Sequence, residues 1–221
     1  MTQTVTRTLS EPESKRVLAA AGLPVLDERV VDTPGEAADA ARELAPSAAV
    51  VVKLCGDGVA HKTERGLVRL GLHGDNDVRA AAQQLLDAAS PEDGEVGILV
   101  APMVRGSREL IAGLHRDAQF GPCVMLGIGG VLTEALADVA FRLVPVERVD
   151  AEELLDDLET QALLGPVRGE PQVDRTVVAD LVLALSRLAE ADPAIVSVDV
   201  NPLVVVDGRP VAVDALVEVR A

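Results

Sequence analysis

Asn201 and Asp214 are the residues whose types and spacing most directly suggest chemistry in this chain. They flank a closing segment in which two apolar, alternating runs surround Asp207-Gly208. That dipeptide is a strong hairpin signal, because a type I′ turn needs positive φ at both central positions. With a two-residue loop, Val206 faces Arg209, Val204 faces Val211, and Asn201 faces Asp214. Directly opposed side chains lie roughly 4.5–5.5 Å apart at Cβ, so an amide oxygen and a carboxylate would converge. Mg²⁺ carrying nucleotide phosphates is the natural guest, since magnesium takes one or two protein oxygens and leaves its other positions to water and phosphate. The same residues admit a plainer reading. Asn201 then only opens a turn with Pro202, and Asp214 is an exposed strand residue. Pro202 argues against a central strand, and a bulge would shift the register and separate the pair.

Lysine usage supplies a second group of candidates. Of 20 basic residues only Lys15, Lys53 and Lys62 are lysines, so a lysine here suggests a need for a compact, flexible ammonium. Lys53 ends an apolar run. Lys62 follows His61, within a segment from Cys55 to Gly66 that contains Gly56, Gly58 and Gly66. Glycine loops let backbone N–H groups approach a phosphate, and a lysine completes such a cradle. Histidine can also accept a phosphoryl group through its neutral imidazole. The spacing is not that of a P-loop, and an ordinary glycine-rich hairpin loop with one exposed histidine fits it as well. A second cluster, Gly127-Ile128-Gly129-Gly130, precedes a segment from Val131 to Leu136 that can begin an anion-binding helix or be a plain tight turn. Glu109, at a strand start, is placed to meet a metal or a ribose, or to face solvent. His73 and His115 read as surface residues.

Composition excludes several classes. A formal charge of −16 opposes binding to nucleic acid. With no Trp, no Tyr and two Phe, base-stacking platforms are missing too. No apolar run approaches a membrane span, and the first ten residues lack the apolar centre of a signal peptide. Cys55 and Cys123 have no metal-ligand spacing and read as a cytosolic pair of buried thiols.

The elements that must position these residues follow from pattern. Ser10 with Glu13 opens a helix that Gly22 ends. Thr33-Pro34-Gly35-Glu36 opens a helix to about Leu44. Strands are expected over Pro24–Val31, Ala49–Leu54, Leu67–Leu72, Val96–Val100, Glu109–Leu114, Cys123–Leu126 and Val139–Val144. Further helices are expected from Asp77 to Ala89, from Asp150 with Glu153, and from Asp174 to Glu190 with Val177, Leu181, Leu185 and Leu188 on one stripe. Helices interleaved with paired strands indicate an α/β or α+β protein.

Five segments in this order carry a resemblance: Lys53-Leu54; H-K-T-E-R-G-L-V-R-L-G-L from His61; the run from Arg108 through Gly130; V-D-V-N-P-L from Val198; and Val213-Asp214-Ala215. The chain resembles the ATP-grasp subunit of the ADP-forming (NDP-forming) acyl-CoA synthetases, relatives of the succinyl-CoA synthetase β subunit, over nearly its whole length. The resemblance implies an ATP-grasp fold with nucleotide held between two lobes. It implies an N-terminal helix (1–22) packing on the C-terminal lobe, an N-terminal lobe (23–100) and a C-terminal lobe (101–221). Lys53 would contact phosphates, Ala101, Pro102, Met103 and Val104 would form the hinge against adenine, and Glu109 would sit near ribose or metal. Asn201 and Asp214 would hold Mg²⁺, Asp199 would meet an incoming phosphohistidine, and His61 would relay phosphate. Where the family's loop often reads V-G-G-V-K, this chain has Arg65-Gly66-Leu67-Val68-Arg69.

The implied activity is the nucleotide half-reaction of an acid–CoA ligase, with ATP/ADP and Mg²⁺ as cofactors, in the cytoplasm. No dinucleotide-binding fingerprint appears, and no further domain has room for CoA. A separate α subunit is therefore expected to carry the CoA and acyl sites in a hetero-oligomer. Two other classes stay open: a stand-alone ATP-grasp carboxylate–amine ligase working through an acyl phosphate, and a non-catalytic nucleotide-sensing module.

Overall fold

The structure is a computed structural model that describes residues 5–59, 62–130, 133 and 137–221. His61 and most of the segment from Val131 to Leu136 lie outside the described residues. The chain forms two compact units. One comprises Ser10–Glu13 and Leu26–Met103; the other comprises Met1–Leu9, Ser14–Val25 and Val104–Ala221.

The smaller unit is a four-stranded antiparallel sheet carrying two helices. Its strands are β2 (Arg29–Val31), β3 (Val50–Gly56), β4 (Val68–Leu72) and β5 (Val96–Pro102), in the order β2-β5-β3-β4. Helix α2 (Pro34–Leu44) starts at a capping box: Thr33 accepts from the Glu36 N–H at 3.2 Å and Glu36 accepts from the Thr33 N–H at 3.1 Å. Two orphan amides are satisfied at once. Helix α3 (Gly74–Asp87) begins three residues before the expected Asp77, with Asp75 and Asp77 both in its first turn, where carboxylates complement the helix dipole. Ala37, Ala38 and Ala41 of α2, with Val78, Ala82 and Leu85 of α3, bury Val50, Val52, Leu54, Ile98 and Val100 of the sheet. Strand alternation turns Lys53 and Cys55 to the other face, where Cys55 packs with Leu99 and Ala101; Cys55 is buried as expected, whereas Cys123, near the start of its strand, is only half-buried.

The strand expected over Pro24–Val31 is shorter, and only Arg29–Val31 pairs, with β5. Val25 instead bridges Ala212, in the larger unit. The polar residues Asp27 and Glu28 separate the two apolar ends, and each end serves a different core.

The larger unit is a seven-stranded antiparallel sheet. Its strands are β1 (Thr6–Thr8), β6 (Glu109–Asp117), β7 (Gly121–Ile128), β8 (Val139–Leu143), β9 (Ile195–Val206), β10 (Arg209–Ala212) and β11 (Ala215–Arg220). The order is β1-β11-β9-β6-β7-β8, with β10 also paired to β9. One face packs into a core with α1 (Glu11–Ala20), α4 (Arg148–Asp156) and α5 (Arg175–Ala191), through residues such as Leu18, Leu154, Leu155, Leu181, Leu185, Leu114 and Val200. Helix α1 opens with Glu13 accepting from the Ser10 N–H at 3.1 Å, and Gly22 follows at φ 91°. Helix α4 starts before the expected Asp150: the Asp150 carboxylate accepts from the Glu147 N–H at 2.8 Å, so Asp150 caps from inside the first turn. Asp174 caps α5 as expected, accepting from the Thr176 and Val177 N–H groups. The buried face of α5 runs through Val178, Leu181, Val182, Leu185 and Ala189. Val177 and Leu188 of the expected stripe sit at its margin, half-buried. Among the described residues no helix is long and apolar enough to cross a membrane.

Candidate functional site

The turn at Asp207-Gly208 has φ 48° and 82°, the two positive values a type I′ hairpin needs. An added Cβ on Gly208 would come within 2.5 Å of the Gln172 carbonyl oxygen, so space as well as φ restricts this position to glycine. Val206 pairs with Arg209, Val204 with Val211, and farther along Val200 with Ala215 and Asp199 with Leu216. The same register therefore holds on both sides of the gap between β10 and β11, and it sets Asn201 opposite Asp214. In that gap the Val213 N–H donates to the Pro202 carbonyl at 3.2 Å.

Pro202 does lie within a central strand, because the bulge falls on the other edge of β9. Leu110 faces Leu203 but Ala112 faces Val200, so β9 holds one more residue than β6 between those rungs. Proline's missing donor is tolerated at such a bulge. The Asn201–Pro202 peptide is cis. Core-facing positions change parity across it: Val198 and Val200 are buried before it, Leu203 and Val205 after it. Asp199 and Asn201 therefore share the face away from the core and are exposed, with Asp214 half-buried. Matter around the Asp199 carboxyl pushes its pKa up by desolvation, and the neighbouring Asp214 carboxylate pushes the same way. Asp214 also accepts from the Ala215 N–H at 2.9 Å.

These donors fit a nucleotide-borne Mg²⁺. They are hard oxygens, and an added cation would relieve the repulsion between the two carboxylates. Magnesium takes one or two protein oxygens and leaves its other positions to phosphate and water, so an amide oxygen and a carboxylate are enough for the protein's share.

Glu109 starts β6, half-buried and opposite Val204. Its carbonyl accepts from the Gly129 N–H at 2.8 Å. Its carboxylate lies over Gly130, where an added Cβ would be 3.6 Å from Oε2. The second glycine cluster thus packs against Glu109. The neighbouring Arg108 is buried and fastens the strand start, donating to the Gly165 and Pro171 carbonyls at 2.7 and 2.5 Å.

In the smaller unit, Lys53 is buried and its ammonium donates to Glu11 Oε1 at 2.6 Å. Lys62 donates to the other oxygen of the same carboxylate. The loop carrying Lys62 is also fastened at Arg65, which grips both oxygens of the buried Asp93 at 2.6 and 2.8 Å. The Asp93 carboxyl is held well below the usual carboxylate range by that bond and by the Ser90 N–H. Cys55 lies on the same strand face as Lys53; its thiol is pushed up to about 11, mainly by burial and secondly by Glu11. Ala101 and Pro102 end β5, and the Met103 N–H donates to the Ala49 carbonyl at 2.8 Å. Val104 begins the last and longest stretch of the larger unit.

Sequence reasoning missed Glu11, which stands in a capping segment where a glutamate needs no other explanation. The scarcity of lysine pointed to its two partners, and nothing in the sequence pointed to the anion between them.

A family model described as an ATP-grasp domain matches residues 1–219. The chain is 34% identical over 212 residues to the β subunit of acetate–CoA ligase [ADP-forming] I of Pyrococcus furiosus, covering 95% of this chain and 90% of that subunit. It is 37% identical over 208 residues to acetate–CoA ligase [ADP-forming] I of Archaeoglobus fulgidus, covering 90% of this chain but only 30% of that longer protein. Among solved structures, the acetyl-coenzyme A synthetase 1 of Ca. Korarchaeum cryptofilum, in complex with coenzyme A and Mg-AMPPCP, superposes with a TM-score of 0.83 at 33% identity, over 97% of this chain and 93% of that one. The chain thus belongs to the ATP-grasp family, on the branch formed by the β subunits of ADP-forming acyl-CoA ligases. Its relatives there are ligases that work as one of several subunits or as part of a longer chain.

Proposed function

We propose that this chain carries out the nucleotide half-reaction of an ADP-forming acid–CoA ligase, acid + CoA + ATP = acyl-CoA + ADP + Pi. The register that sets Asn201 opposite Asp214, with Asp199 on the same face, is the observation that supports it most. Asn201 and Asp214 hold the Mg²⁺ of the bound nucleotide, which when present neutralises phosphate charge. Lys53 contacts the phosphates, Ala101 to Val104 line the adenine, and Glu109 meets the ribose or the metal. Phosphoryl transfer asks for positioning and charge neutralisation more than covalent chemistry from the protein.

In the forward direction an imidazole nitrogen of His61 attacks the γ-phosphorus. The N–P bond forms as the bridging P–O bond breaks, ADP leaves with the electron pair, and the ring releases its remaining N–H proton. Asp199 receives a phosphohistidine in the reverse exchange with ADP. A CoA-binding α subunit supplies the acyl site in a cytoplasmic hetero-oligomer.

Incubation of the chain with Mg²⁺ and γ-labelled ATP tests this reading. Acid-labile label on His61, absent from His61→Asn, is expected. Removing the metal carboxylate in Asp214→Ala should slow labelling on the order of 100-fold. Nucleotide binding with no label would make the chain a sensor. ADP release only when an acid and an amine are both present would make it a carboxylate–amine ligase.

A further inference from the structure

Glu11, Lys53 and Lys62 form a buried charge cluster inside one compact unit. The Glu11 side chain is 1% exposed, with Lys53 at 10% and Lys62 at 16%. Each carboxylate oxygen takes one ammonium, so the two cations sit a carboxylate's width apart. Two ammonium groups at that spacing are donors suited to the oxygens of one phosphoryl group. Burial makes the spacing rigid, since neither lysine can leave the carboxylate without a large desolvation cost.

We infer that Glu11 is a positioning residue that holds Lys53 and Lys62 as a paired ammonium site, and that Lys62 joins Lys53 in handling the transferring phosphoryl group. This rests on the nucleotide reading given above and adds two residues to it. The effect is on alignment and not on attraction. Without Glu11 the two ammonium groups remain to attract nucleotide, but they lose their fixed spacing. A misplacement of about 1 Å can cost about 100-fold in rate.

The experiment measures MgADP affinity by calorimetry and the single-turnover rate of phosphohistidine formation from MgATP. Glu11→Gln is expected to keep MgADP affinity within about threefold while transfer slows at least about tenfold. Lys62→Met keeps the Glu11–Lys53 pair and is the variant to read if Glu11→Gln does not fold; the same split is expected. Asp93→Asn serves as the control, because it releases Arg65 from the same loop without touching the lysines; its transfer rate should stay within about threefold. Wild-type transfer in folded Glu11→Gln or in Lys62→Met overturns the inference, as does an equal loss in Asp93→Asn. Unchanged MgADP affinity in Lys53→Met would instead overturn the nucleotide reading itself.

Discussion

The Glu11 cluster and the closing hairpin differ in burial and in what holds them. In the first, one carboxylate is shared by two lysines and all three side chains are largely shielded from water. In the second, Asp199 and Asn201 stand exposed on a strand face, and the carboxylates of Asp199 and Asp214 lie near enough to repel. The first group is held by burial, because separating buried charges costs far more than separating exposed ones. The anionic group is held by backbone register, which costs little electrostatic stability but fixes direction and spacing. Under the proposed function the two devices would serve two guests: a phosphate needs rigid cations, whereas a metal that arrives with its own ligands needs a few well-aimed oxygens that water can reach.

The largest expected effect tests whether the first group is set by burial. Glu11→Leu deprives two shielded ammonium groups of their shared carboxylate and should cost about 3–5 kcal/mol of folding stability in urea denaturation. Asp214→Asn, where charge is relieved and not stranded, should cost under about 1 kcal/mol. Equal losses would erase the contrast.

A second, smaller effect uses Cys55 as a reporter beside the cluster. With its thiol pushed up to about 11, the thiolate is scarce at pH 8, and alkylation should be roughly 100-fold slower in the native chain than in urea. Equal rates would mean that strand β3 is not shielded there.

The smallest effect concerns Asp199. Its carboxyl pKa is raised in the fold, so the native state binds more protons than the unfolded chain from about pH 3.9 up to the raised native value. Stability therefore falls as pH rises through that window. Asp199→Asn should remove this loss, leaving the variant more stable than wild type at neutral pH by under about 1 kcal/mol after allowing for solvent screening. Thermal melts at pH 3.5 and 7 would show it. A variant advantage that shrinks between those pH values would reverse the assigned sign.

Local chemistry made much of the chain legible. The capping residues Ser10, Thr33 and Asp174, the alternation of β3, and the Asp207-Gly208 turn follow from short-range sterics and hydrogen bonding, and their elements stand where the sequence puts them. Because a two-residue turn fixes antiparallel register by counting, the opposition of Asn201 and Asp214 followed as well. The bulge at Pro202 did not: it depends on the pairing of β9 with β6 across roughly ninety intervening residues.

By itself, then, the sequence determined the hairpin with its oxygen donors and singled out Lys53 and Lys62 as unusual, since these are matters of residue type and short spacing. Only the tertiary structure decided that Glu11 would stand between those lysines, 42 residues from one and 51 from the other. Whether a glutamate is a helix cap or the buried partner of two cations depends on which strand and loop its helix start meets, and no local pattern encodes that meeting.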